Sequence, residues 1–306
     1  MQIVLAENFR AVFYAPFYAT LELGLFRRAG LDIALRQSPE PGAAIREMVA
    51  GSVHVVWGGP LRVIKDRERV PEGPDALLAF GEVVGRDPFC LVGKKSLRPF
   101  SLSSLVATGL SSVSEVQTPW ICLQQDLRDL SIDPASIPRI DSLGMAENLQ
   151  SLKQGEAQVV QLFEPFVSMA EQESSLAVLH AAHERGPTAY TSFITTESNL
   201  ERFAEEFKSM CKAIAQFPDW LAAHGVVELA RVVQPLYPGV DRKLLESSFA
   251  RCQSAGLWAC QPQISRTGFQ RLAQSMLSAG FIGREASYEQ CVAGWAQEPA
   301  PGISRD

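Results

Sequence analysis

A tryptophan that closes an apolar run and precedes two glycines is a binding motif in miniature. In Val53-His54-Val55-Val56-Trp57-Gly58-Gly59-Pro60 the indole offers a flat wall. Gly58 and Gly59 let backbone N–H groups approach whatever lies against it. Trp57 reads equally well as a core residue. Glu164 follows a second apolar run, Val159-Val160-Gln161-Leu162-Phe163, and precedes Pro165. It either favours the N-terminal dipole of the next helix or accepts hydrogen bonds from an amino or amidine-like ligand group. A carboxylate in a binding cleft would repel nitrate or a sulfonate. Arg10 and Arg62 argue the other way, because a guanidinium fork suits an oxyanion, although each also fits a salt bridge. Ser114, Gln117 and Thr118 lead into a helix that carries Trp120, where hydroxyls and free N–H groups make polar or anionic contacts. Helix capping alone accounts for Thr118 as well.

Other chemistries find no support. His54, His180, His183 and His224 have neither metal-ligand spacing nor a triad partner. The six cysteines (Cys90, Cys122, Cys211, Cys252, Cys260, Cys291) show no CxxC pair and read as free thiols, with a Cys252–Cys260 disulfide the open alternative. GxSxG, GxxxxGK[ST] and GxGxxG are all absent, so hydrolase, P-loop and Rossmann readings have no motif. No cofactor or metal is expected. A net charge of −6, with 28 scattered Lys and Arg, argues against a nucleic-acid surface. No apolar run reaches the ~18–20 residues of a membrane span, so no direct membrane insertion is expected.

These residues need a scaffold that brings them together. The 306 residues, 46% hydrophobic and 20% charged, suffice for two cores. Strand and helix signals alternate from the start. Strands are expected at 3–5, 31–35, 53–57, 77–84 and 89–92, and helices at 15–29 (capped by Gly30), 42–50 and 61–68. A similar unit follows, with strands at 109–113, 137–141, 157–163 and 176–180 and helices at 99–105, 118–130 and 145–153. A strand at 190–195 leads out to helices at 200–224, 226–233, 242–253 and 265–279, and residues 297–306 read as a frayed end. Two α/β units joined by one strand out and one strand back describe a two-lobed clamshell with a helical C-terminal part. Lobe one is expected from residues 1–85 and 195–306, and lobe two from 86–194. Ligands of open α/β sheets bind beyond the carboxyl ends of strands. That selects Asn8, Phe9, Arg10, Trp57, Gly58, Gly59, Arg62, Ser114, Thr118, Trp120, Glu164 and, at the return crossover, Tyr190. An Arg86–Asp87 ion pair is expected to stiffen the outgoing crossover.

Several stretches resemble one family. Phe13-Tyr14-Ala15-Pro16-Phe17-Tyr18-Ala19, Glu22-Leu23-Gly24-Leu25-Phe26, Gly30-Leu31-Asp32-Ile33 and the Gly51–Pro60 segment look like the thiamine-pyrimidine-synthase-like binding proteins. Arg86-Asp87-Pro88-Phe89, residues 148–159 and residues 189–196 extend the resemblance over about residues 1–225. It implies the type II periplasmic-binding-protein fold and the class of ABC-transporter receptors for nitrate, sulfonates and thiamine precursors. In that light Glu164 resembles a pyrimidine-contacting acid. The family also holds a fungal enzyme that carries pyridoxal phosphate on a lysine and consumes its own histidine four positions later. Gly58 and Arg62 stand at those positions here, and Thr188-Ala189-Tyr190-Thr191-Ser192 replaces the enzyme's cysteine run. Without the amine and the histidine that chemistry cannot run.

The expected function is a solute-binding protein closing on a small, polar, flat organic ligand for an ABC-type importer, with a permease as partner. The alternative is a cytosolic enzyme on the same fold acting on a small aromatic or heterocyclic acid. A ligand-gated sensor is a third reading, without an attached DNA-binding module. Met1-Gln2-Ile3-Val4-Leu5-Ala6-Glu7-Asn8 shows no basic stretch followed by a long apolar one. The expectation is therefore a cytoplasmic protein as given, or a periplasmic one whose leader was removed.

Overall fold

Strands β1 (Gln2–Glu7), β2 (Asp32–Gln37), β3 (Val55–Gly58) and β4 (Leu77–Val84) precede the first crossover. Next come β5 (Cys90–Lys94), β6 (Leu110–Ser111), β7 (Arg139–Ile140), β8 (Val159–Leu162) and β9 (Leu176–Ala181), and β10 (Thr191–Thr196) returns. These elements belong to a computed structural model that describes residues 2–38 and 42–297. They form two five-stranded sheets, in the orders β2-β1-β3-β10-β4 and β7-β6-β8-β5-β9. In each sheet three neighbouring strands run parallel, and the fourth, β10 or β5, is antiparallel to both its neighbours. That fourth strand is the one the chain has just carried across from the other sheet. The two-lobed α/β clamshell is thus present. The boundary expected at 194/195 falls inside β10, all of which pairs in the first sheet.

Helices α1 (Ala15–Glu22), α2 (Leu25–Arg28), α3 (Ala43–Val49) and α4 (Pro60–Arg69) link strands of the first sheet. Helices α5 (Leu105–Thr108), α6 (Thr118–Asp129), α7 (Met145–Gln154) and α8 (Phe166–Glu171) link those of the second. The C-terminal part holds α9 (Glu197–Arg202), α10 (Ala204–Ile214), α11 (Phe217–Val233), α12 (Arg242–Ser254), α13 (Arg266–Ser278) and α14 (Tyr288–Cys291). The single helix expected over 15–29 is two, because Gly24 takes a left-handed φ of 68° between α1 and α2. The expected helix 200–224 is likewise divided at Phe203 and at Ala215-Gln216. Its last part continues as α11 through a kink at Gly225. Of the frayed end expected over 297–306, all but Gln297 lies outside the described residues.

Registry decides which side chains face the core. Glu7 pairs with Trp57, Trp57 with Phe193, and Phe193 with Phe80, so the four share one face of the first sheet. Helix α1 lies against that face. Its residues from Ala15 to Thr20 are all buried, since it is sandwiched between the sheet and the C-terminal helices α10 and α11. In the second sheet Val160 and Leu162 join the large core, while Val159, with Leu91, joins a separate apolar cluster with Leu105, Leu123 and Leu127.

The crossovers are pinned by charge. Arg185 donates through Nη1 to the fully buried Asp87 at 2.6 Å and through Nε to Asp126 on α6 at 3.0 Å. Asp87 therefore pairs with Arg185 from the returning crossover and not with its neighbour Arg86, as the sequence had suggested. One segment is locked against the other, which a pair of adjacent residues could not do. Burial pushes the Asp87 carboxyl up, and the Arg185 guanidinium opposes that. Helix α13 packs close behind: a Cβ on Gly268 would meet the Ala189 backbone nitrogen at 2.8 Å, so only glycine fits there.

Candidate functional site

A cavity of about 300 Å³ lies where the two sheets face each other. From the first lobe it is lined by Asn8 and Phe9 after β1, Phe13 and Tyr14, Gly58 and Gly59 after β3, and Leu61 and Arg62 in the first turn of α4. From the second it is lined by Ser114–Thr118 before and at the start of α6, and by Phe163 after β8. Phe89, Tyr190 and Thr191 contribute from the crossovers. These are the carboxyl ends of parallel strands, where open α/β sheets place their ligands.

The floor is aromatic and joins the lobes. Phe13 meets Phe163 edge-on at 5.2 Å and Tyr190 at 6.0 Å, and Phe89 meets Phe163 at 5.1 Å. Above it stand polar groups. Asn8 is 9% exposed, and its Nδ2 donates to the Trp57 carbonyl at 3.4 Å while its Oδ1 has no partner among the described residues. The fully buried Thr191 hydroxyl lies beside the Tyr14 phenol and interacts with it. The half-buried Arg62 guanidinium makes no ion pair among the described residues. Burial lowers its pKa, and the nearby Tyr14 phenol opposes that. Burial in turn pushes the Tyr14 phenol up, so it stays a protonated donor at neutral pH. The other charged lining residue, Glu115, accepts the backbone N–H of Met145 at 2.8 Å. Neither α4 nor α6 is capped by the side chain of its N-cap residue, Gly59 or Gln117.

The NMT1/THI5-like family model matches residues 12–225, well over half of the chain. The chain belongs to the NMT1/THI5-like family. A Bacillus subtilis (strain 168) protein with the provisional description of a binding protein, YtlA, is 21% identical over 294 residues, covering 95% of this chain and 87% of its own length. Among solved structures, the periplasmic aliphatic sulphonate binding protein SsuA from Escherichia coli superposes with a TM-score of 0.72 at 11% identity, covering 95% of this chain and 97% of that one. The ligand-binding component of an ABC-type import system from Staphylococcus aureus, with zinc bound, has a TM-score of 0.69 at 12% identity and covers 97% of both chains. The fold is that of the two-lobed type II periplasmic binding proteins.

In this NMT1/THI5-like chain the cavity gathers Asn8, Phe9, Gly58, Gly59, Arg62, Ser114, Thr118 and Tyr190 of the residues selected from sequence. It leaves out Trp57, Glu164, Arg10 and Trp120. Trp57 is 1% exposed, stacked on Phe17 at 4.4 Å and 18° and met edge-on by Tyr18 at 5.3 Å. Strand alternation aims its side chain under α1, and the cleft begins one residue later, at Gly58. Trp57 is a core tryptophan.

Glu164 is 3% exposed and turns away from the cavity. Its oxygens accept from the Ser168 backbone N–H at 3.1 Å, the Ser168 hydroxyl at 2.8 Å, the Ser248 hydroxyl at 3.1 Å and Arg251 Nε at 2.5 Å. A carboxylate so fully engaged has no lone pair left for a ligand, so the ligand-reading acid expected from sequence is corrected to a structural one. Arg10 is held by Glu7 at 2.6 Å and the Leu236 carbonyl at 2.8 Å, on the far side of the Asn8-Phe9 loop. Trp120 lies under the Arg139 guanidinium at 4.7 Å and packs on the second sheet's own apolar cluster. Phe13, Tyr14, Leu61 and Phe89 line the cavity without having been selected. For Phe13 and Tyr14 the available signal was their place in the family-like opening motif. For Phe89 it was its position just past the crossover.

Proposed function

We propose that this chain is a solute-binding protein of an ABC-type import system, and that it holds a small, flat organic anion between its lobes. The observation that carries the reading is the Arg62 guanidinium, without a counter-ion among the described residues, in a cavity floored by Phe13, Tyr190, Phe163 and Phe89. An arginine without an internal partner is matched to a carboxylate, sulfonate or phosphate. The aromatic floor suits a planar body. The volume of about 300 Å³ is that of a small-molecule site. The donor-rich pyrimidine expected from the family resemblance has lost the carboxylate it rested on, since Glu164 is taken by Arg251. The flat-ligand half of that expectation keeps its support. Among the described residues that line the cavity there is no histidine, cysteine or lysine, which favours binding over covalent chemistry. The structural neighbours described as import components support a permease as the partner that receives the ligand.

Calorimetric titration tests the reading with four probes of one shape: benzenesulfonate, benzoate, neutral benzamide and cationic benzamidine. The anions are expected to bind, and Arg62→Gln to weaken them by the ~1.5–3 kcal/mol of a charge-assisted hydrogen bond, or roughly tenfold to a hundredfold. Preferential binding of benzamidine, or an unchanged anion affinity in Arg62→Gln, would sink the proposal.

A further inference from the structure

Glu164 and Arg251 are 87 positions apart and belong to elements of different lobes. Helix α12, which carries Arg251 and Ser248, packs on α11 and on the short turn Val12–Tyr14 of the first lobe. Glu164 and Glu171 bracket α8, which packs on β5 and β9 of the second sheet. Arg251 reaches across with both sides of its fork. Nε donates to Glu164 at 2.5 Å, and Nη2 donates to Glu171. Ser248 adds a hydroxyl to the same Glu164 carboxylate.

The junction combines the packing of α12 on α8 with these polar contacts. A gap of about 40 Å³, lined by Phe13, Cys90, Cys252 and Leu257 among others, lies directly against Glu164 and Arg251. Close apolar packing is interrupted there, so the dispersion contacts that hold most core interfaces are reduced. Phe13 lines both this gap and the binding cavity, which places the junction one side chain from the candidate site.

We propose that Arg251 is an interlobe latch: by bridging Glu164 and Glu171 it fixes the angle between the lobes and limits their motion about the crossovers. Without it, two carboxylates, one of them buried, face α12 with no cation. The buried one regains solvation only if the second lobe shifts away from the helix. Lysine at 251 would keep the charge but, as a point donor, could not serve both carboxylates in the same geometry.

The test needs no knowledge of the ligand. Spin labels are placed at the exposed Val49 of the first lobe and Leu130 of the second in the full chain, with the exposed Cys260 changed to Ser. Their distance distribution is read by pulsed electron resonance. The parent is expected to give one narrow peak. Arg251→Met should raise the population outside that peak by about tenfold or more, the ratio set by one lost charge-assisted hydrogen bond. Arg251→Lys should fall between the two. Circular dichroism confirms that each variant is folded, and if Arg251→Met is not, the comparison of Arg251→Lys with the parent decides. A folded variant whose distribution matches the parent's would overturn the latch.

Discussion

Trp57 allows a sharp test of whether the cavity begins at Gly58. Its indole is buried against Phe17 and Tyr18, and its ring nitrogen has no hydrogen-bond partner. Trp57→Ala removes the whole side chain from a close-packed face, which costs about 3–5 kcal/mol. The aromatic contacts raise the total toward ~4–6 kcal/mol. For a chain of 306 residues the unfolding entropy is roughly 0.6 kcal/mol per degree, so the melting temperature should fall by about 6–9 °C.

Trp57→Phe is the informative companion. It keeps a ring for Phe17 to stack on and removes the N–H that the fold leaves unpaired. Relief of that group returns ~1–3 kcal/mol, which offsets most of the lost volume. Differential scanning calorimetry should therefore show Trp57→Phe within ~2 °C of wild type. Because the indole does not line the cavity, its affinity for benzenesulfonate should stay within about twofold, far less than a lost stacking contact of ~1–3 kcal/mol would cause. The reasoning fails if Trp57→Phe melts as low as Trp57→Ala, or if it loses tenfold in affinity while keeping its stability.

Two further perturbations follow from buried polar groups. Glu7 is fully buried, accepts from the Tyr18 hydroxyl and from Arg10, and immediately precedes the cavity residues Asn8 and Phe9. Glu7→Gln should cost about 1.5–3 kcal/mol in urea unfolding, and a loss under ~0.5 kcal/mol would show the network to be idle. His54 accepts the Val4 backbone N–H on Nδ1 at 3.0 Å, and burial, with Arg202 nearby, lowers its pKa below the ordinary 6.5. The unfolded chain then binds the proton first, so stability is full above pH 6.5 and is lost as pH falls from there through the folded-state pKa. His54→Gln should flatten the drop in unfolding free energy between about pH 7.5 and 5.5, and an unchanged slope would assign the drop to other groups.

What could be read from the chain alone was local. Alternating strand and helix signals, with glycines at their ends, located nearly every element, because caps and periodicity act over a few residues. Where a strand end faced the cleft, the lining followed, as at Asn8-Phe9, Gly58-Gly59 and Ser114–Thr118. Direction and pairing were not legible. The face that Trp57 takes depends on registry with Glu7 and Phe193, and Phe193 is 136 positions later. The charge available at Glu164 depends on Arg251 in a helix that no short-range signal connects to it. The Arg86–Asp87 expectation failed for the same reason. Adjacency in sequence suggested a pair, while the fold brought Arg185 across the second crossover to the buried carboxylate.

The contrast between Glu164 and Arg62 carries the ligand argument further. This fold can satisfy a buried charge completely, and at Glu164 four donors from two helices, α8 and α12, do so. At the cavity it does not: among the described residues Asn8 Oδ1 has no hydrogen-bond partner and Arg62 has no counter-ion. A group kept from water unpaired costs about 1–3 kcal/mol, and the buried Asn8 Oδ1 is such a group. Unpaired groups gathered around a single cavity become favourable when a ligand supplies the missing partners, and on the proposed reading their types indicate what it would carry. An oxyanion would answer Arg62, and a hydrogen-bond donor would answer Asn8. A ligand carrying both on one planar body would meet every unpaired group named here, whereas inorganic nitrate would leave Asn8 unanswered and the aromatic floor bare.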